Sequence, residues 1–197
     1  MTHPLEAIPV TELPPPGHYG RVGEPGVVAH LRDDVAIATL AARKGTALAP
    51  QIRQAFGVDL VDGPRAVTAG GTTFIGTAPG RWLATSETDS DLADTLKGSL
   101  NGVAAVTEQS DGYVVIDISG PQAREMWAKN VAIDLDPSVF KPGDAAATVV
   151  SYVGVTFWQL DASPSYRVLV ARSYAGALLR ILVSASLEYG LRLEGRG

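Results

Sequence analysis

Twice along this chain the hydrophobic pattern runs through one order: a strand, a helix, further strands and a second helix. In the first half, Val35-Ala36-Ile37-Ala38-Thr39-Leu40 reads as a strand. Residues 46–56 then place Leu48, Ile52 and Phe56 on one helical face, closed by Gly57. Residues 67–76 and 82–85 predict short strands around Ala78-Pro79-Gly80-Arg81, and Gly70-Gly71 marks another turn. A second helix carries Leu92, Leu96 and Leu100 and ends near Gly102. Ser90 is placed to cap it, with Asp91 in the first turn where a carboxylate suits the helix dipole. The second half repeats the plan. Val114-Val115-Ile116-Asp117-Ile118 is a strand, and Ser119 with Gln122 three residues on has the spacing of a capping box ahead of Ala123, Met126 and Trp127. Strands follow over 146–152, 155–160 and 166–171, then a helix over 174–188 that stops at Gly190. Val58-Asp59-Leu60 and Ile133-Asp134-Leu135 fall at matching places, as do Leu100 and Leu187. Strands joined by short turns favour antiparallel sheets with helices on one face. The expected class is α+β, built as two pseudo-repeated halves.

The first thirty residues do not fit this plan. Six prolines and four glycines up to Gly26 leave no room for a helix or a central strand, and Pro14-Pro15-Pro16 favours an extended polyproline segment. The expected organisation is therefore an arm over residues 1–32 and a single domain over 33–197, its halves being about 33–106 and 107–197. Each half is small, so the two are expected to share a core. The arm reads either as a disordered tail or, with Leu5, Ile8, Val10, Leu13 and Tyr19 as apolar anchors, as an ordered segment laid along a partner.

Residue types narrow the chemistry. The 197 residues contain no cysteine, which excludes disulfides, thiolate metal sites and cysteine nucleophiles. The three histidines, His3, His18 and His30, all lie in the arm, so the body lacks the commonest acid–base and metal-binding side chain. A net charge of −5 with scattered basic residues argues against a nucleic-acid partner. Charged residues such as Arg180 interrupt every apolar stretch, so no membrane span is expected. The first residues have neither a basic region nor an apolar core, which makes a cytoplasmic location the expectation.

Four carboxylate pairs, Asp33/Asp34, Asp59/Asp62, Asp89/Asp91 and Asp134/Asp136, fall near turns or helix starts, where aspartate is favoured for local hydrogen bonding. No glycine-rich phosphate-binding fingerprint occurs. No catalytic, cofactor-binding or metal-binding residue is expected in this chain. Phe157-Trp158 puts two large aromatics side by side in a strand, so one should face away from the core as an interface anchor. Tyr19 in the arm and Arg172 after the last strand complete the candidate subunit interface: Tyr19, Phe157, Trp158 and Arg172.

A series of segments, in order, resembles the gamma subunit family of heterotetrameric sarcosine oxidases. They are Ala42-Arg43-Lys44-Gly45, Gly80-Arg81-Trp82-Leu83, Thr107-Glu108-Gln109-Ser110-Asp111-Gly112, Ile118-Ser119-Gly120-Pro121, Ile133-Asp134-Leu135-Asp136-Pro137 with Phe140, Trp158-Gln159 with Tyr166, and Ala171-Arg172-Ser173. The resemblance implies a fold similar to the folate-binding domain of glycine-cleavage T-proteins. It implies a non-catalytic subunit with alpha, beta and delta partners. Those partners would carry FAD, FMN, NAD, zinc and tetrahydrofolate, and this chain no cofactor of its own. Such complexes demethylate sarcosine oxidatively to glycine, pass the one-carbon unit to tetrahydrofolate and produce hydrogen peroxide. Relatives often carry histidine at the position of Asp136, so a partner contact made there would be made differently. The gamma-like subunit of an N-methylglutamate dehydrogenase, or of a related N-methyl amine oxidising complex, is an alternative. A free-standing folate-binding one-carbon protein is another, although the chain has no room for that family's further barrel domain.

Overall fold

A computed structural model describes residues 5, 6 and 12–195. Ile8, Val10 and His3 of the expected arm lie outside the described residues. The chain divides into two compact units, one of residues 1–33, 114–142 and 147–197, the other of residues 34–113 and 143–146. The segment read as an arm belongs with the second half.

The second unit is the simpler. Its sheet comprises β3 (Ala36–Ala42), β4 (Ala66–Ala69), β5 (Thr72–Ala78), β6 (Arg81–Ser86) and β7 (Ala104–Glu108), in the order β4-β5-β6-β3-β7. All of its pairs are antiparallel. Helices α1 (Leu48–Phe56) and α2 (Leu92–Leu100) close one face. Ile52, Leu96 and Leu100 pack there with Leu40, Phe74, Trp82 and Ala84 from alternate strand positions. Gly57 ends α1 in the left-handed conformation at φ 70°, and its N–H returns to the Arg53 carbonyl, as the sequence predicts. The strand expected over 67–76 is two strands, because Gly70 and Gly71 turn the chain between β4 and β5.

The first unit is built on a seven-stranded sheet. Its strands are β1 (Gly17–Tyr19), β2 (Val27–Arg32), β8 (Tyr113–Ser119), β9 (Ala145–Val150), β10 (Val153–Asp161), β11 (Ser165–Ala171) and β12 (Leu191–Glu194), in the order β1-β12-β2-β8-β11-β10-β9. Helices α3 (Ala123–Ala128) and α4 (Ala175–Ser186) pack on each other, with α3 against β2 and α4 against β11. Trp127 of α3 stacks on Phe157 at 5.5 Å between ring centroids, and Phe140 and Tyr166 complete the aromatic core. The α+β class expected from the pattern is the class observed.

Three local readings change. The expected arm holds a central strand, because beyond Pro25 the run Val27–Arg32 alternates buried and half-buried residues and lies between β12 and β8. Averaging proline content over thirty residues hides that six-residue run. β12 runs parallel to β2, so the sheet is not purely antiparallel. Ser119 is the last residue of β8 and does not cap α3, which begins at Ala123 after the Gly120 turn. At Gly120, φ is 115° and a Cβ would stand 2.5 Å from the Gly26 carbonyl oxygen, so only glycine allows the turn to seat on that carbonyl. The Gln122 N–H then donates to the same oxygen at 2.9 Å.

Candidate functional site

One row of polar residues crosses the seven-stranded sheet on a single face. Register places Glu194 of β12 beside His30 of β2, and His30 opposite Asp117 of β8. Arg167 of β11, which faces Asp117, is in turn opposite Trp158 of β10. The Asp117 carboxylate accepts from Arg167 Nε at 2.6 Å and Nη2 at 2.7 Å, and from Arg32 Nη1 at 2.9 Å. His30 Nδ1 and Glu194 Oε2 are 3.1 Å apart. A carboxylate that accepts three guanidinium N–H groups braces the strands that carry them. This ladder ties four strands together across the sheet, and its chemistry is structural.

Four other aspartates are also engaged locally. Asp62 Oδ1 accepts from Gly80 N at 3.0 Å, Asp89 Oδ1 from Asp91 N at 2.9 Å, and Asp134 Oδ1 from Asp136 N at 2.9 Å. Asp136 Oδ1 accepts from Ser138 N at 2.8 Å and Ser138 Oγ at 2.6 Å, and these bonds hold its carboxyl below the usual aspartate range. The Asp136 side chain thus closes its own turn. A hollow of about 280 Å³ at the start of α2 is lined by Ser90, Asp91, Lys97, Glu108 and Ser110. There the Ser110 N–H donates to Glu108 Oε1 at 2.6 Å while Ser110 Oγ accepts from Ile37 N at 2.9 Å. Bonds from Ser110 lower the Glu108 carboxyl. Among the described residues no three histidine, aspartate or glutamate side chains converge as a metal site requires, and no helix is long and apolar enough to cross a membrane.

The four residues expected at a subunit interface separate. Phe157 is 0 % exposed and Trp158 2 %, so neither side chain offers an accessible anchor; β10 is covered on both faces at this point. Alternation does send the two rings to opposite sides, but the inference that one side is open fails. Tyr19 is buried too, its hydroxyl donating to the Pro15 carbonyl at 2.6 Å, and burial raises its phenol above the ordinary value. Arg172 is exposed, in a 3₁₀ turn over Arg172–Tyr174 ahead of α4, with Tyr174 exposed beside it. The sequence reading missed the most exposed aromatic of all, Tyr152. It sits between β9 and β10, at the end of what read as a strand over 146–152; the break expected at Val153-Gly154 falls instead at Ser151-Tyr152, which holds no glycine, asparagine or proline to announce a turn.

The model of the sarcosine oxidase, gamma subunit family, matches residues 41–188. The chain belongs to that family. Within the gamma subunit family, the sarcosine oxidase subunit gamma of an Arthrobacter species is 29 % identical over 153 residues, which is 77 % of this chain and 70 % of that one. A chain of the heterotetrameric sarcosine oxidase from Corynebacterium sp. U-96, solved in complex with pyrrole 2-carboxylate, superposes with a TM-score of 0.75 at 27 % identity, covering 85 % of this chain and 87 % of that one. The glycine cleavage system aminomethyltransferase T from Bartonella henselae shares the fold, with a TM-score of 0.63 at 12 % identity over 86 % of this chain and 48 % of that one. The gamma-family match runs from the end of β3 to just beyond α4. Asp117 and Arg167 of the ladder fall inside it, while His30 and Glu194 fall outside.

Proposed function

We propose that this gamma-family chain is a non-catalytic assembly subunit of a heterotetrameric sarcosine oxidase. The observation that carries this reading is the likeness to a chain of the Corynebacterium heterotetramer over 87 % of that chain's length. The local engagement of the carboxylates and a body without histidine or cysteine support it. In this reading alpha, beta and delta subunits join the chain in the cytoplasm and carry FAD, FMN, NAD, zinc and the tetrahydrofolate site. The whole complex oxidises sarcosine to glycine, passes the one-carbon unit to tetrahydrofolate and releases hydrogen peroxide. Of the residues singled out in the sequence, Arg172 is the accessible one for a partner contact.

The fold shared with aminomethyltransferase T favours a second reading, a free-standing folate binder, although this chain spans 48 % of that protein. One experiment separates the two. Tagged chain is recovered from cells co-expressing alpha, beta and delta subunits of a sarcosine oxidase, and native mass spectrometry and a flavin absorption spectrum are taken on the same sample. The subunit reading expects a single large species with flavin colour. A colourless monomer that binds tetrahydrofolate when titrated supports the folate reading and overturns the first.

A further inference from the structure

The β9–β10 hairpin carries the least economical turn in the described chain. Its two-residue loop is Ser151-Tyr152, with φ 45° and 74°. Positive φ at both positions is the geometry that Asn-Gly or Gly-Gly ordinarily supplies, because a side chain there crowds its own backbone. Tyrosine is a poor choice for the fold, and nothing in the fold gains from it, since the ring is 99 % exposed. Val149 on the same hairpin is 54 % exposed. A strained residue that makes no internal contact points to a role outside the chain.

Beside the turn lies an open cleft of about 500 Å³ lined by Lys129, Asn130, Ser151, Arg180, Ile181 and Ser184 with Ala185. Its wall carries Lys129, which is paired with Glu188, and Arg180, in a chain whose net charge is −5. Lys129 pairs with Glu188 and lies 4.2 Å from the Tyr189 ring centroid, which fixes its ammonium at the rim. The Arg180 guanidinium reaches the Leu5 and Glu12 carbonyls at 3.4 and 3.5 Å. Ser151 belongs to both the turn and the cleft wall. The two features therefore present one continuous surface, an aromatic knob next to a cationic hollow.

We propose that this surface docks another subunit of the oxidase, with Tyr152 entering an apolar pocket and a carboxylate of that subunit entering the cleft. Tyrosine is among the residues that most often dominate an interface, and a cationic hollow selects an acidic group against the background of an acidic chain. The inference rests on the subunit reading above.

The test is a competition. Untagged wild-type chain and a mass-distinguishable variant are co-expressed with limiting amounts of the remaining subunits, and their ratio in the flavin-coloured complex is read by mass spectrometry. Tyr152→Gly and Tyr152→Asn suit the turn better than tyrosine, so each isolated variant should melt no lower than wild type. Both should nevertheless be depleted from the complex at least about tenfold. Ser184→Glu should be depleted as well, and Ser184→Arg should compete on equal terms. If wild type enters the complex and both Tyr152 variants enter equally well, the docking inference falls and the subunit reading stands. If no flavin-coloured complex contains wild type, the subunit reading falls and takes the inference with it. A Tyr152-dependent homodimer of the isolated chain would reassign the surface to self-association and overturn the proposal. Equal depletion of Ser184→Glu and Ser184→Arg would overturn the acidic occupant.

Discussion

Asp117 concentrates more consequence than any other side chain in the first unit. It neutralises two guanidinium groups beneath a sheet face, and Arg167 is nearly buried while the Asp117 side chain keeps 23 % of its exposure. Removing a partner from a fully buried pair costs about 3–5 kcal/mol, mainly through the charge left behind, and the residual exposure lowers this to about 2–3 kcal/mol for Asp117→Ala. Urea unfolding of the isolated chain should show that loss. The double variant Asp117→Ala/Arg167→Met should recover part of it, since the stranded cation is then gone. Gly20 offers a second residue-level test. Its φ is 84° and a Cβ would stand 2.2 Å from the Leu187 carbonyl oxygen, to whose residue the Arg21 N–H is bonded at 2.8 Å. Gly20→Ala should destabilise by roughly 2 kcal/mol or more, because a backbone clash adds to the unfavourable dihedral.

Among the elements, the turn over Asp134–Ser138 shows a carboxylate used as punctuation. Hydrogen bonds from Ser138 depress the folded Asp136 carboxyl below its ordinary value of 3.8. A depressed carboxyl contributes stability that is present above the unfolded value and lost as pH falls through the folded one. Wild type should therefore exceed Asp136→Ala in stability near neutrality, and the gap should close as the pH is lowered below about 4. Denaturant midpoints across that range would measure it. The elements most legible in sequence were those with a period and a stop signal: α1 with Gly57, α2 with its leucines at four-residue spacing, and α4 before Gly190. β2 and β12 were not legible. Each is short, one follows a proline-dense stretch and the other trails a helix, and their pairing partners are distant in sequence. The expectation of an open aromatic in β10 differs from the structure for a related reason. Alternation tells which side of a strand a ring takes, and only tertiary packing tells whether that side is covered, as it is at Trp158.

For the whole molecule, β2 and β12 give residues 27–32 and 191–194 a structural part in the seven-stranded sheet. Truncation before residue 17 leaves every strand in place and should be tolerated, apart from the loss of the Arg180 contacts to Leu5 and Glu12 and of the Tyr19 hydroxyl's bond to the Pro15 carbonyl. Truncation before residue 34 removes β2, takes the middle out of the β12-β2-β8 ladder and leaves Asp117 without Arg32. That second truncation should yield aggregated or protease-sensitive protein. Limited proteolysis with circular dichroism would distinguish the two outcomes, and a cooperative melt from the shorter chain would contradict the role given to β2.

The pairing of β2 with β12 also sets a schedule. His30 and Glu194 are 164 residues apart. At synthesis rates of about 5–20 residues per second, a nascent β2 waits on the order of 10–30 s for its neighbour. Throughout that interval it has a bare edge and an unanswered histidine. The second unit, residues 34–113 with the short return at 143–146, can be completed well before the first. A ribosome that stalled late in this message would release a half-finished protein with one settled sheet and one open one, a natural substrate for chaperones and an early sink for expression yield.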